Sequence, residues 1–143
     1  MIYAGTFYRT MDAKNRVTVP SDWLGEEAAA FFVLPAKENL SVMPAEELSR
    51  QEDELREMLP AGPARQQALR AIYGSARRVE PDKQGRILLP EEFCKKIALE
   101  GEVTFVGVKN RFEIWSAAKW SSATEQEPEL SEEARKALEA LGL

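Results

Sequence analysis

The feature that most constrains this chain is an internal repeat. The run Asp82-Lys83-Gln84-Gly85-Arg86-Ile87-Leu88-Leu89-Pro90 matches the earlier run Asp12-Ala13-Lys14-Asn15-Arg16-Val17-Thr18-Val19-Pro20 in its opening aspartate, turn residue, arginine, apolar β-formers and closing proline. In each copy a carboxylate opens a turn, a residue tolerant of positive φ precedes an arginine, and apolar β-formers run into a proline. Asp12 and Asp82 are suited to bonding the turn backbone, Asn15 and Gly85 to the left-handed position, and Arg16 and Arg86 to starting a returning strand. Each run is therefore expected to form a hairpin tip.

The likeness continues downstream, where Ala30 to Pro44 aligns with Glu102 to Ser116 and Leu48 falls opposite Trp120. Each repeat reads as strand, tip, strand, short helix, strand, turn, strand. Such a unit cannot bury both faces of its sheet alone, so two copies imply a pseudo-two-fold arrangement in which each supplies the other's core. The expected class is α+β. Repeats at about 5–48 and 76–120, with a helical segment at 45–75 between them, make one domain over 1–120, followed by an acidic linker and C-terminal helix over 121–143.

With these residues in place the chain resembles the MraZ family, bacterial regulators of the division and cell-wall gene cluster. The resemblance rests on the Asp-x-x-Gly-Arg motif at Asp82 to Arg86, its degenerate copy at Asp12 to Arg16, the paired strands after each, and the linking helical region. Two such motifs at this separation are far more specific than one pentapeptide. The resemblance implies a tandem AbrB-like swapped-hairpin β-barrel with a linking helical hairpin. The first tip departs from the family pattern in carrying Asn15 in place of glycine; asparagine also enters left-handed space, so the turn is expected to survive.

A chain of 143 residues with 44% hydrophobic content suits one globular domain. No leader pattern and no run approaching membrane-span length is present, which leads to the expectation of a cytoplasmic protein. The single cysteine, Cys94, reads as a small buried hydrophobe rather than a nucleophile. There is no histidine, and one cysteine without histidine cannot build a zinc cage. No phosphate-cradling glycine loop or serine elbow appears. The acids between Glu46 and Glu57 are interleaved with Arg50 and Arg56 and read as a solvated helix face. No catalytic residue, metal, cofactor or small-molecule substrate is expected.

The net charge of −5 argues against a nucleic-acid binder until its distribution is considered. Residues 121–143 carry six acids against two bases, and residues 45–60 six against two, so each sums to −4. Residues 1–20 and 77–86 each sum to +2. Positive charge thus gathers at both tips, and screening over roughly 8 Å makes the local field matter more than the total. In the first tip strand Val17 and Val19 should face the core, with Arg16 and Thr18 outward. Short helices should follow Pro20 and Pro90, with Trp23 and Phe93 as core anchors. Between the repeats, Ala45 to Leu59 is expected to be a helix striped with Leu48, Leu55, Met58 and Leu59. A second helix from Ala64 to about Ser75 offers Ala68, Ala71 and Ile72. Ser121 to Pro128 reads as a linker, and Leu130 to Leu141 as an amphipathic helix.

One such tip alone would be a structural turn with an internal ion pair; recurrence of the arginine beside the same tip favours DNA. The planar fork of arginine can reach guanine O6 and N7 together, lysine meets phosphate as a point charge, and a two-stranded ribbon fits the major groove. Arg16 and Arg86 are assigned to base or phosphate contact, Lys14 and Lys83 to phosphate, and Arg9, Arg77 and Arg78 as secondary candidates. Asp12, Asn15, Asp82 and Gly85 hold the tips, and Leu48, Leu55 and Met58 are assigned to self-association. The resemblance implies a nucleoid-associated repressor that binds short direct repeats at the promoter of its own gene cluster as a ring oligomer. The alternative is a ring-forming scaffold of the same fold that does not read DNA.

Overall fold

Turn chemistry and two-residue alternation cut both halves of the chain into short strands. The computed structural model describes residues 1–25, 29–126 and 130–143. Along the chain run β1 (Thr6–Thr10), β2 (Arg16–Thr18), a 3-10 turn (Ser21–Trp23), β3 (Phe31–Pro35), β4 (Leu40–Met43), α1 (Ala45–Met58) and α2 (Pro63–Ser75). There follow β5 (Arg77–Val79), β6 (Arg86–Leu88), α3 (Glu91–Lys96), β7 (Glu102–Gly107), β8 (Phe112–Ser116), α4 (Ala117–Gln126) and α5 (Glu132–Ala140). This is a mixed α+β protein with antiparallel sheet. No helix among the described residues is long and apolar enough to cross a membrane.

Strand pairing crosses between the halves. Six strands form one sheet in the order β1-β7-β8-β4-β3-β5, and β2 pairs with β6 in a separate ribbon. Read by sequence correspondence, the order is a palindrome: β1 of the first half lies on β7 of the second, and β5 of the second on β3 of the first. The two central ladders pair corresponding strands about their own midpoints. Arg16, Val17 and Thr18 oppose Leu88, Ile87 and Arg86, and Leu40, Ser41 and Val42 oppose Ile114, Glu113 and Phe112.

Two expectations need correction. The tips are not local hairpins, because β1 and β2 flank the first tip yet pair with β7 and β6. Nor does the hydrogen-bonded sheet close into a barrel: β1 and β5 are its edges, and the β2–β6 ribbon stays apart from it. Each ribbon strand is three residues long and runs on into Pro20 or Pro90, which have no N–H to extend a ladder.

The core lies between ribbon and sheet. Val17, Val19, Ile87 and Leu89 are buried from the ribbon side, as alternation requires, and Phe105, Phe112, Leu40 and Ile114 from the sheet. Trp23 is packed edge-on by Tyr3 at 5.8 Å and Phe7 at 5.2 Å, with Phe112 tilted against it at 4.9 Å, so it anchors the 3-10 turn. Phe93 does the same for α3, whose Cys94 is buried; burial pushes that thiol up from its ordinary value.

In the helical hairpin, Leu48 is only 4% exposed, whereas Leu55 is half-buried and Met58 is 77% exposed. Leu48 therefore belongs to the interior and is withdrawn from the self-association surface, because the first turn of α1 is the part laid closest over the chain's own sheet. On α2, Ala68 and Ile72 are half-buried and Ala71 is exposed. Residues 121–126, expected to begin a linker, are helical. They continue α4 from Ala117 with no glycine or proline to stop it, behind a cap in which Lys119 N–H donates to Ser116 Oγ at 3.1 Å. Trp120 packs on Trp115 at 5.5 Å. The rest of that stretch, 127–128, lies outside the described residues.

Candidate nucleic-acid interface

Each tip is built by one carboxylate. Asp12 Oδ1 accepts from the backbone N–H of Lys14 and of Arg16, both at 2.9 Å, and its Oδ2 accepts from Arg16 Nε at 2.8 Å. Asp82 repeats this with Gln84 N, Arg86 N and Arg86 Nε, all at 2.9 Å. The turn is closed by Asn15 N–H donating to Asp12 C=O in the first copy and Gly85 N–H to Asp82 C=O in the second. Asn15 has φ 63° and Gly85 φ 78°, so both sit in the left-handed region that the sequence demands of them. Around Gly85 the space is also tight: a Cβ there would lie 2.8 Å from Leu24 Cδ1.

The electrostatics follow from this geometry. The N–H of Arg16 chiefly, then its guanidinium and the N–H of Lys14, hold the Asp12 carboxyl below its usual range. For Asp82 the N–H of Arg86 leads, followed by that of Gln84 and the Arg86 guanidinium. Each arginine gives only its Nε to the aspartate. Of the five guanidinium N–H groups, the four on the terminal nitrogens make no hydrogen bond among the described residues and are open to a ligand. The Arg16 and Arg86 side chains are 36% and 31% exposed, held in place yet open on their outer edge.

The ribbon brings these two arginines onto one face. Val17 and Ile87 point inward, which turns Arg16, Thr18, Arg86 and Leu88 outward together. Lys14 and Lys83 form no ion pair among the described residues, but they do not occupy the same step of the turn. Lys14 corresponds to Gln84, since both donate their N–H to the tip aspartate, and Lys83 corresponds to Ala13. The sequence rule of one lysine per tip therefore hides an asymmetry.

The secondary candidates divide. Arg77 and Arg78 line a surface cleft with Lys14 and Leu88 beside the first tip. Both already hold carboxylates, Arg77 with Glu92 at 2.9 Å and Arg78 with Glu80 at 2.7 Å. Arg9 lies over the Phe7 ring at 5.4 Å and lines a different cleft, with Tyr8 and Glu102, so the structure does not bring it to the ribbon. Thr18 lies on the face where alternation put it beside Arg16, whereas Leu88 is a face residue that sequence reading passed over. The signal was available, because alternation counted from Arg86 places Leu88 on the arginine side. No cluster of metal-ligating side chains occurs among the described residues.

Fold and site together define a mixed α+β protein whose doubled β unit sets two matched arginine tips on one ribbon. A family profile described as "MraZ protein, putative antitoxin-like" matches residues 72–141. A Desulfosudis oleivorans protein named Transcriptional regulator MraZ is 33% identical over 122 residues, covering 83% of each chain. A protein of the same name from Carboxydothermus hydrogenoformans is 33% identical over 85% of each, and one from Acetivibrio thermocellus 31% identical over 99% of this chain and all of its own. The chain belongs to the MraZ family.

Proposed function

We propose that this protein is a sequence-specific DNA-binding transcriptional regulator. It represses the division and cell-wall gene cluster that includes its own gene, by gripping short direct repeats in the promoter. The observation that carries the reading is the pair of Arg16 and Arg86 guanidiniums, each fixed through Nε and open at its outer edge, on one face of a two-stranded ribbon. A ribbon of that kind fits the major groove, and a guanidinium edge matches guanine O6 and N7. Lys14 and Lys83 meet phosphate, Arg77 and Arg78 support Lys14 along the backbone, and Arg9 contributes at most to the general field. The name shared by the relatives supports a regulatory role.

In this reading residues 1–120 work as one DNA-binding unit of the swapped-hairpin type, in the cytoplasm and at the nucleoid, with 121–143 appended. Copies assemble into a ring through Leu55 and Met58 on the helical hairpin, whose acidic face is poorly suited to phosphate and turns away from DNA. A ring multiplies weak single contacts along tandem repeats. The test is binding to DNA from upstream of the gene against a scrambled fragment, titrated with salt. Tighter binding to the upstream fragment, with log affinity falling linearly in log salt, is expected. Equal affinity for both fragments would remove the reading.

A further inference from the structure

Leu88 is 58% exposed, and it lies on the ribbon face that carries Arg16 and Arg86. The register sets it opposite Arg16, as it sets Thr18 opposite Arg86. Val19 N–H donates to Gly85 C=O and Leu89 N–H to Asn15 C=O, both at 2.9 Å, bonds that bracket these two pairs from outside. They are therefore the non-hydrogen-bonded positions of the ladder, where facing Cα atoms approach to about 4.5 Å and side chains stand closest. An isobutyl group and a guanidinium thus share one spot on the ribbon, and Leu88 also lines a cleft with Lys14, Arg77, Arg78 and Glu91, the two arginines of which are paired to Glu92 and Glu80.

The geometry points to Leu88 as the reader of a pyrimidine C5-methyl group in the major groove, next to the contact that Arg16 makes. This rests on the DNA reading of the ribbon and goes one step further, to which base edge is recognised. The C5-methyl is the apolar feature the major groove displays, and aliphatic side chains recognise it by burying it. Lys14, which forms no ion pair among the described residues, and the outer edge of Arg16 lie beside the leucine and favour an anionic occupant over an apolar protein surface. The corresponding position in the other half is Thr18, smaller and hydroxylated, beside Arg86. The two halves of the ribbon are then unequal readers, so the protein distinguishes the two directions along its site.

Thymine and 5-methylcytosine both carry this methyl, and DNA chemistry separates them. On a bound promoter fragment, each thymine is replaced in turn by deoxyuridine, which deletes the methyl and keeps the pairing. At one position the full-length parent should lose about three- to fivefold in affinity, the worth of one buried methyl. Leu88→Ala should bind the unaltered fragment weaker by a similar factor and be indifferent to that deoxyuridine. Leu88→Met, still apolar, should keep the sensitivity. If no thymine responds but 5-methylcytosine in place of one cytosine strengthens parent binding and not that of Leu88→Ala, the methyl comes from modified cytosine. Sequence preference with no methyl effect that depends on Leu88, or a methyl effect that survives in Leu88→Ala, overturns the assignment alone. If the parent shows no sequence preference, the DNA reading fails and this assignment with it.

Discussion

Replacing Arg86 by alanine separates the two jobs of the second tip. The substitution removes one of three hydrogen bonds to Asp82; the two from the N–H groups of Gln84 and of residue 86 itself remain, because they are backbone bonds. Gly85 keeps its left-handed conformation, and Ile87, which carries the burial of β6, is untouched. The fold is therefore expected to survive with an unchanged circular dichroism spectrum. Binding should change far more. A bidentate guanine contact is worth about 1–3 kcal/mol, so affinity should fall roughly 5- to 150-fold per engaged tip at fixed salt. A phosphate contact would instead lower the salt slope by about one per engaged subunit, with a similar loss for every sequence. Arg86→Lys discriminates further: it restores a phosphate contact but not a forked base contact. Fluorescence anisotropy of a labelled promoter fragment at several salt concentrations measures both quantities. If Arg86→Ala and Arg16→Ala each bind the target like the parent at matched salt, the tips are structural turns and the DNA assignment at these residues is wrong.

Asn15→Gly should be tolerated, whereas Asn15→Val, placing a β-branched residue at φ 63°, should cost at least about 1 kcal/mol in denaturant unfolding; equal stability of the two variants would show that this strain is absent. Asp12 and Asp82 have lowered folded pKa values, so their contribution is present above the ordinary value of 3.8 and lost as pH falls through the folded one. Stability of the parent should thus decline more steeply between about pH 5 and pH 2 than that of an Asp12→Asn, Asp82→Asn double variant, and parallel curves would contradict the linkage. Leu55→Asp should reduce the assembly mass in light scattering and weaken binding to multi-repeat DNA more than to a single repeat. A folded variant with the parent's mass would place the seam elsewhere.

What could be read from the sequence was what local chemistry decides. Asp12 and Asp82 reach only as far as residue four positions on, Asn15 and Gly85 are chosen for their own φ, and Pro20 and Pro90 stop their own strands. The partners of those strands are a different matter, since Thr6 lies opposite Val106 and nothing near β1 in sequence indicates β7. Leu48 was misjudged for the same reason: helical periodicity gives the stripe but not which turn of it the sheet covers. Ser121 to Pro128 read as a linker, although Thr124 returns its hydroxyl to the Trp120 C=O within a helix that runs to Gln126. In the site, the arginines were legible because they recur, whereas Leu88 merged into the apolar run Ile87-Leu88-Leu89 until alternation separated it.

The palindromic order of the sheet has a consequence for how the chain is made. Emerging from a ribosome at about 5–20 residues per second, β1 waits on the order of 5–20 s for β7 to appear. Until β5 emerges both β1 and β3 lack their cross-half partners, and from then until β7 emerges β1 alone does. A second nascent chain on the same message offers strands of the same register, so exchange between neighbours competes with closure in cis. Crowded synthesis should favour intertwined dimers, while refolding at high dilution should return each chain to itself.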